Sequence, residues 1–144
     1  MSETIRVLVA DDHELFRKGV IHSLNSAPDI DVVGESTDGQ SAIQQADELV
    51  PDIILLDVTM KPVDGLTALK QLSTGLPVCK VIMLTVAEDE DTLLTALKTG
   101  AKGYVLKGVV SAELIQVVRQ VHAGEVYVTP TMAASLLMEM AHTP

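Results

Sequence analysis

The chain has 144 residues, the length of a single domain, and its 47% hydrophobic but only 2% aromatic content predicts an aliphatic core. A net charge of −10 at pH 7 argues against direct binding to a phosphate backbone, because such binding requires clustered lysine and arginine. No run is long and apolar enough to span a bilayer, and the N-terminus lacks the features of a signal peptide. The single Cys79 cannot form an internal disulfide, which fits a reducing compartment. We therefore expect a soluble cytoplasmic domain.

Short apolar runs alternate with amphipathic segments along the chain. The runs predict five β-strands, at Ile5–Ala10, Ile30–Gly34, Ile53–Leu56, Val81–Leu84 and Gly103–Leu106. The segments that follow them predict five helices, at Glu14–Ser26, Gln40–Glu48, Gly65–Leu72, Asp89–Thr99 and Ala112–Ala123. This alternation predicts an α/β fold with a parallel sheet covered on both faces, and a doubly wound, flavodoxin-like strand order 2-1-3-4-5 is the simplest topology.

A change of pattern after residue 124 predicts a C-terminal extension. Thr129 and Pro130 are typical of a helix N-cap followed by proline at the first helical position, so we expect a sixth helix near 130–140. Its predicted apolar face consists of Met132, Ala133, Leu136, Leu137 and Met140. This face is expected to pack on its own domain or on a second protomer. The chain is thus divided into a domain over residues 1–124 and an extension with the start of a linker over residues 125–144.

Polar side chains stand where the predicted strands end. The first strand ends in Asp11 and Asp12, the third in Asp57, the fourth in Thr85 and the fifth in Lys107. In open α/β sheets, ligands bind beyond the carboxyl ends of the strands where the strand order reverses, and the first and third strands are neighbours in the predicted order. Three carboxylates are therefore expected to converge at one point.

Carboxylates that converge in this way require either raised pKa values or a cation. The four histidines and the cysteine show no spacing suited to zinc. Oxygen ligands alone suit a hard divalent ion, and Mg²⁺ commonly binds a phosphate as well. Lys107 and the Thr85 hydroxyl would then contact phosphoryl oxygens, so the pattern predicts Mg²⁺-assisted phosphoryl chemistry at Asp57.

Five motifs in order resemble those of a two-component response-regulator receiver domain, which has a CheY-like fold. They are VLVADDHELFRKG, VVGESTDG, DIILLDVTMKPVDG, VIMLT and GAKGYVLKG, within about residues 5–123. The run ADDHELFRKGV followed by VVGE resembles, more narrowly, receivers that precede a LuxR/NarL-type helix-turn-helix.

The resemblance implies a role for each matching residue. Asp57 matches the phosphoacceptor, and Asp12 matches the direct Mg²⁺ ligand with Asp11 as its water-mediated neighbour. The Thr59 backbone carbonyl matches a further metal ligand. Thr85 and Lys107 match the pair that contacts the phosphoryl oxygens. Tyr104 matches the aromatic residue that changes rotamer when Thr85 moves towards the phosphoryl group.

Three positions depart from the family pattern. Lys61 stands before Pro62, where the proline usually follows the methionine directly, so the loop geometry is expected to differ. Val86 is larger than the residue usual after Thr85, which predicts narrower access to the phosphoacceptor. Gly108 replaces a common proline and removes a cis bond expected there.

The resemblance also implies partners and an output. A histidine kinase would supply the phosphoryl group, a homodimer could form, and DNA would be bound through a C-terminal output domain that these 144 residues do not include. The domain itself is expected to be a switch and not an enzyme, apart from self-phosphorylation and slow self-dephosphorylation.

Other interpretations of the same residues remain. Asp11 and Asp12 are of the types that cap helices, Asp57 could close a turn, and Thr85, Tyr104 and Lys107 could be ordinary residues of strands and their ends. A stand-alone or pseudo-receiver would act by protein contact without phosphate. A haloacid dehalogenase-type phosphatase is disfavoured, because it requires a second acid two residues after the nucleophile, where Thr59 stands here.

Overall fold

A computed structural model of the chain describes residues 4–87 and 89–141. The strands are β1 Ile5–Ala10, β2 Ile30–Ser36, β3 Ile53–Asp57, β4 Lys80–Thr85 and β5 Gly103–Leu106. The helices are α1 Glu14–Asn25, α2 Gly39–Leu49, α3 Gly65–Gly75, α4 Glu90–Thr99, α5 Ser111–His122 and α6 Pro130–Ala141. The predicted ranges 1–124 and 125–144 extend past the described residues at both ends.

The strands form one parallel sheet in the order β2-β1-β3-β4-β5, which confirms the predicted topology. Every residue of β3 is buried, as expected for a central strand covered on both faces. Alternate β3 side chains enter two different cores: Ile54 and Leu56 pack towards α2, α3 and α4, whereas Ile53 and Leu55 pack towards α1 and α5. The apolar runs therefore build two core layers.

All five predicted strands and the five helices that follow them are present, β1 and β5 with the predicted bounds and the others with ends that differ by at most three residues. Three strands continue further than the apolar run that marks them, and β3 and β4 include Asp57 and Thr85 as their last residues. Both are paired across the sheet, Asp57 with Leu84 and Thr85 with Leu106. Both candidate site residues are therefore held by the sheet itself.

The extension lies against the β5 side of the sheet. Tyr127 forms a parallel bridge to Gly103, accepting a hydrogen bond from the Tyr104 N–H and donating its own N–H to the Lys102 carbonyl. The Thr129 hydroxyl accepts from the Met132 N–H at 3.2 Å, so the predicted N-cap of α6 is observed.

The predicted apolar face of α6 divides in two. Met132 is buried in the core layer next to α4, and Leu136 packs against it. Leu137 and Met140 remain 68% and 69% exposed. The helix therefore packs on its own domain through its first two turns. Within the described ranges, no helix is long and apolar enough to cross a membrane.

Candidate functional site

Three acidic side chains meet at the carboxyl edge of the sheet. Asp11 and Asp12 follow β1, Asp57 ends the neighbouring β3, and one carboxylate oxygen from each lies within 4.8 Å of the others. Asp11 and Asp57 are 0% and 1% exposed, whereas Asp12 is exposed. The predicted convergence is present, and the cluster is open to solvent on the side of Asp12.

Lys107, just after β5, reaches into this cluster. Its ammonium nitrogen lies 2.8 Å from Asp11 Oδ2 and 3.3 Å from Asp57 Oδ2. Among the described residues neither oxygen accepts a hydrogen bond of good geometry, so the ammonium charge is their main compensation. One cation therefore serves two buried carboxylates, and the cluster keeps an excess of negative charge.

The electrostatics of the cluster act most clearly on Asp57. Burial raises the pKa of its carboxyl group, the charge of Asp11 raises it further, and Lys107 partly offsets both effects. The Thr59 main-chain N–H and hydroxyl approach Asp57 Oδ1 at 3.3 and 3.4 Å, which are long contacts. An additional positive charge would favour the ionised form of Asp57.

The donor set fits a hard divalent cation. All three clustered ligands are carboxylate oxygens, and two buried oxygens lack a well-formed hydrogen bond from any described residue. Such a set suits Mg²⁺ better than a transition metal, which prefers imidazole or thiolate ligands. The carbonyl of Thr59 as a further ligand stays a prediction.

Thr85 and Tyr104 lie on the neighbouring strands β4 and β5. The Thr85 hydroxyl donates to the Ala87 carbonyl at 3.0 Å and so is directed into its own loop. Tyr104 is fully buried and its hydroxyl has no hydrogen-bond partner among the described residues, and burial raises its pKa. The nearby Thr85 hydroxyl lowers the pKa of Tyr104 and so partly offsets the effect of burial. No well-formed hydrogen bond joins the hydroxyls of Thr85 and Tyr104, because the Thr85 hydroxyl donates to the Ala87 carbonyl.

The two residues predicted to modulate access lie at the surface. Val86 is 77% exposed and lines a groove of about 330 Å³ together with Val105, Gly108 and Tyr127. Lys61 is exposed, and its peptide bond to Pro62 is cis. Their effect on access to Asp57 stays a prediction.

The acid pair does not cap α1. The N-cap residue of that helix is His13, which makes no side-chain capping bond. Instead, Asp11 Oδ1 accepts the His13 N–H at 2.9 Å within the loop, while Asp12 is exposed. The helix-cap interpretation therefore does not account for the two acids.

Sequence reasoning missed two side chains at this site. The Phe16 ring lies 4.8 Å from the Lys107 nitrogen, measured to the ring centroid. Arg17 is buried and donates to the Asp11 carbonyl at 2.9 Å. Two signals pointed to them: Phe16 is the only phenylalanine of the chain, and Arg17 occupies the apolar stripe of α1 with Val20 and Leu24.

Comparisons with known proteins agree with this geometry. The model of the response regulator receiver domain family matches residues 7–119. The response regulator GacA of Pseudomonas viridiflava is 39% identical over 135 residues, which are 94% of this chain and 63% of that relative. The chain therefore spans less than two thirds of the length of this curated relative.

Two solved structures share the fold. The signal receiver domain of the putative response regulator NarL from Mycobacterium tuberculosis is 32% identical with a TM-score of 0.83, over 85% of this chain and 99% of that one. The isolated REC domain of RcsB from Salmonella enterica serovar Typhimurium, solved with the phosphomimetic BeF3⁻, is 25% identical with a TM-score of 0.82, over 92% and 98% of the two chains.

Proposed function

Since this chain belongs to the response regulator receiver domain family, of the NarL/LuxR type, we propose that it is a phosphorylation-controlled switch whose phosphoacceptor is Asp57. The observation that carries this proposal is the position of Asp57. Its buried carboxylate lies beside a second buried acid, Asp11, and Lys107 contacts both at the open carboxyl edge of the sheet. The BeF3⁻ used with the RcsB domain, a phosphate mimic, supports the same chemistry here.

The transfer we propose needs little from the protein beyond positioning and charge. A carboxylate oxygen of Asp57 forms a bond to phosphorus while the phosphorus–nitrogen bond of a kinase phosphohistidine breaks. Lys107 already lies 3.3 Å from Asp57 Oδ2, within reach of the oxygens of a phosphoryl group on that carboxylate. Asp57 is held in β3 by strand pairing, so the attacking group is fixed before the donor arrives.

A magnesium ion would be held by Asp11, Asp12 and Asp57, with Asp11 acting through a water molecule, and the Thr59 carbonyl is proposed as a further ligand. When bound, it would neutralise carboxylate and phosphoryl charge. Within the protein, Lys107 alone cannot compensate three acids, because its single charge is shared between Asp11 and Asp57.

The switch is proposed to pass from Thr85 to Tyr104 and to the α4–β5–α5 face. The Thr85 hydroxyl would exchange its bond with Ala87 for a phosphoryl oxygen. This would change the space around the Tyr104 hydroxyl, which has no hydrogen-bond partner among the described residues. Tyr104 also donates its main-chain N–H to Tyr127, and Met132 packs in the same core layer. The extension is therefore in direct contact with the residues that would move.

The partners we propose are a sensor histidine kinase and, through a proposed C-terminal helix-turn-helix beyond these 144 residues, DNA. The length of GacA leaves room for such a domain, since this chain covers 63% of it. A homodimer is a further proposal. A pseudo-receiver that works by protein contact is the alternative, and Val86 beside Thr85 is the feature that favours it.

The test is intact-mass spectrometry after incubation with acetyl phosphate, with Mg²⁺ or with EDTA. We expect a gain of one phosphoryl group that requires Mg²⁺ and is absent in Asp57→Asn. Asp47→Asn, an exposed acid on α2, is the matched control and should gain the group as the wild type does. No gain by a wild type that binds Mg²⁺ would favour the pseudo-receiver, and replacement of Val86 by alanine would then show whether that side chain closes the site.

A further inference from the structure

We propose that Arg17 is a positioning residue for the proposed magnesium site: its buried guanidinium fixes the loop that presents Asp11 and Asp12. The proposal rests on the function proposed above, because it assumes that these carboxylates bind the ion. Arg17 contacts none of the three carboxylates that would bind the ion. It contacts the main-chain carbonyl of Asp11.

The guanidinium of Arg17 joins three parts of the fold. Its Nη1 donates to the Asp11 carbonyl at 2.9 Å, and its Nε donates to Glu35 Oε1 at 2.7 Å. Glu35 lies near the end of β2, in register with Val9 of β1. Arg17 is only 6% exposed although arginine is rarely buried, so its place is determined by these two acceptors.

The contact to Asp11 matters because Asp11 is fully buried. Its main-chain N–H donates to the Ser36 carbonyl at 3.0 Å, which extends the β1–β2 ladder by one residue. Its carbonyl turns towards α1 and accepts from Arg17. Without the guanidinium this buried carbonyl would lose its partner, and the loop would have to move to expose it to water. Asp12 is the next residue and would move with it.

Lys18 provides an internal comparison. It is exposed and binds the same carboxylate, at 3.0 and 3.1 Å from the two oxygens of Glu35, but it makes no contact with Asp11. Arg17 and Lys18 together hold the pKa of Glu35 below its usual range, Arg17 being the larger cause. Of the two cations, only Arg17 connects Glu35 to the loop.

Charge and positioning predict opposite results for the loss of Arg17. If only charge mattered, removal of a cation near three carboxylates would strengthen Mg²⁺ binding. If Arg17 positions the loop, its removal weakens binding, and loss of an outer-shell partner commonly weakens metal binding by about 10- to 100-fold. The sign of the change therefore separates the two roles.

The experiment is a calorimetric titration of Mg²⁺ into folded wild type, Arg17→Met, Arg17→Lys and Lys18→Met. We expect about a tenfold weaker affinity for Arg17→Met. Arg17→Lys should fall between it and the wild type, because one ammonium group replaces a fork that reaches two acceptors. Lys18→Met should stay within about twofold of the wild type, because it leaves the contact to Asp11 intact.

A second control separates positioning from general loss of stability. Arg119→Met breaks the 2.8 Å ion pair between Arg119 of α5 and Asp29, the residue before β2, and this pair lies outside the site. It should leave Mg²⁺ affinity unchanged even where it lowers the unfolding midpoint. If Arg17→Met does not fold, Arg17→Lys carries the test.

The outcomes are distinct. Normal or tighter Mg²⁺ binding by the Arg17 variants would overturn the positioning role while leaving the proposed function intact. Equal weakening by Arg119→Met would reduce the effect to stability and overturn it as well. A wild type that binds no Mg²⁺ would overturn the magnesium site of the proposed function, and the role of Arg17 with it.

Discussion

Replacement of Asp57 by asparagine should stabilise the metal-free protein, although it removes the proposed phosphoacceptor. The carboxylates of the cluster have oxygens within 4.8 Å of one another. Coulomb's law gives about 3–4 kcal/mol of repulsion for one such pair at an effective dielectric constant near 20. Asp57 faces two such neighbours, and Lys107 offsets about one of these pairs.

We therefore expect Asp57→Asn to raise the free energy of unfolding by about 1–2 kcal/mol at neutral pH in EDTA. For a chain of this length, that corresponds to a midpoint about 3–8 °C higher. Mg²⁺ should raise the midpoint of the wild type, because it binds the folded state, and should raise that of the variant much less. Differential scanning calorimetry with and without Mg²⁺ measures both effects.

The pH dependence of this difference has a definite sign. The pKa of Asp57 in the folded state is raised from its ordinary value of 3.8, mainly by burial and by the charge of Asp11. The folded state thus binds this proton more tightly than the unfolded state. The stability that protonation of Asp57 adds to the folded wild type is therefore complete below pH 3.8 and is lost as the pH rises through the raised pKa. The advantage of Asp57→Asn should therefore be absent at low pH and grow towards neutrality. Equal stability of variant and wild type at pH 7 in EDTA would refute this account, with Asp47→Asn as the surface control.

Three further predictions concern the scaffold. Val50 ends α2 with a φ of 44°, a left-handed conformation that β-branched residues disfavour, so Val50→Gly should raise the unfolding free energy by about 1 kcal/mol in urea titration. A Cβ on Gly65 would lie 2.1 Å from the main-chain oxygen of Asp57, so Gly65→Ala should lower both stability and phosphorylation by acetyl phosphate. Gly19→Ala, whose added Cβ would have no described atom within 4 Å beyond the adjacent backbone of its own helix, should instead leave phosphorylation unchanged and stabilise α1 by about 0.5–1 kcal/mol. The Arg119 hydrogen bond lowers the pKa of Asp29 from 3.8, so the stability that this pair adds should be present near pH 6 and lost as the pH falls through the lowered pKa, while Arg119→Met should show no such loss.

The order of the strands and the edge that carries the site follow from the sequence because both depend on repeated patterns. Uniformly apolar runs such as Ile53–Leu56 mark strands buried on both faces, and the polar residue after each run marks the carboxyl end. A right-handed parallel topology then brings Asp11 and Asp57 together. None of these steps requires the position of an individual side chain.

The partners of each polar group do not follow from such patterns, because they depend on distances between segments far apart in the chain. The sequence places Thr85 at the site, but not the bond of its hydroxyl to the Ala87 carbonyl. It likewise predicts the sixth helix, but not that Tyr127 first bridges to Gly103. A shift of one helical turn or a change of one rotamer would remove these contacts. Neither change alters the amino-acid pattern from which the elements are predicted.

The hydrogen bonds and the ion pair of Asp11 show why the site depends on the whole edge of the sheet. Its main-chain N–H is bound by Ser36 of β2, its carbonyl by Arg17 of α1, one carboxylate oxygen by the His13 N–H, and the other lies 2.8 Å from Lys107 after β5. Asp11 is therefore fixed from three directions, while the adjacent Asp12 is exposed. We expect a cation that enters from solvent to meet the exposed Asp12 first, and its charge would compete with the ammonium of Lys107 for the two buried acids. A released ammonium would be available for a phosphoryl oxygen, so binding of the ion and capture of the phosphoryl group would favour each other.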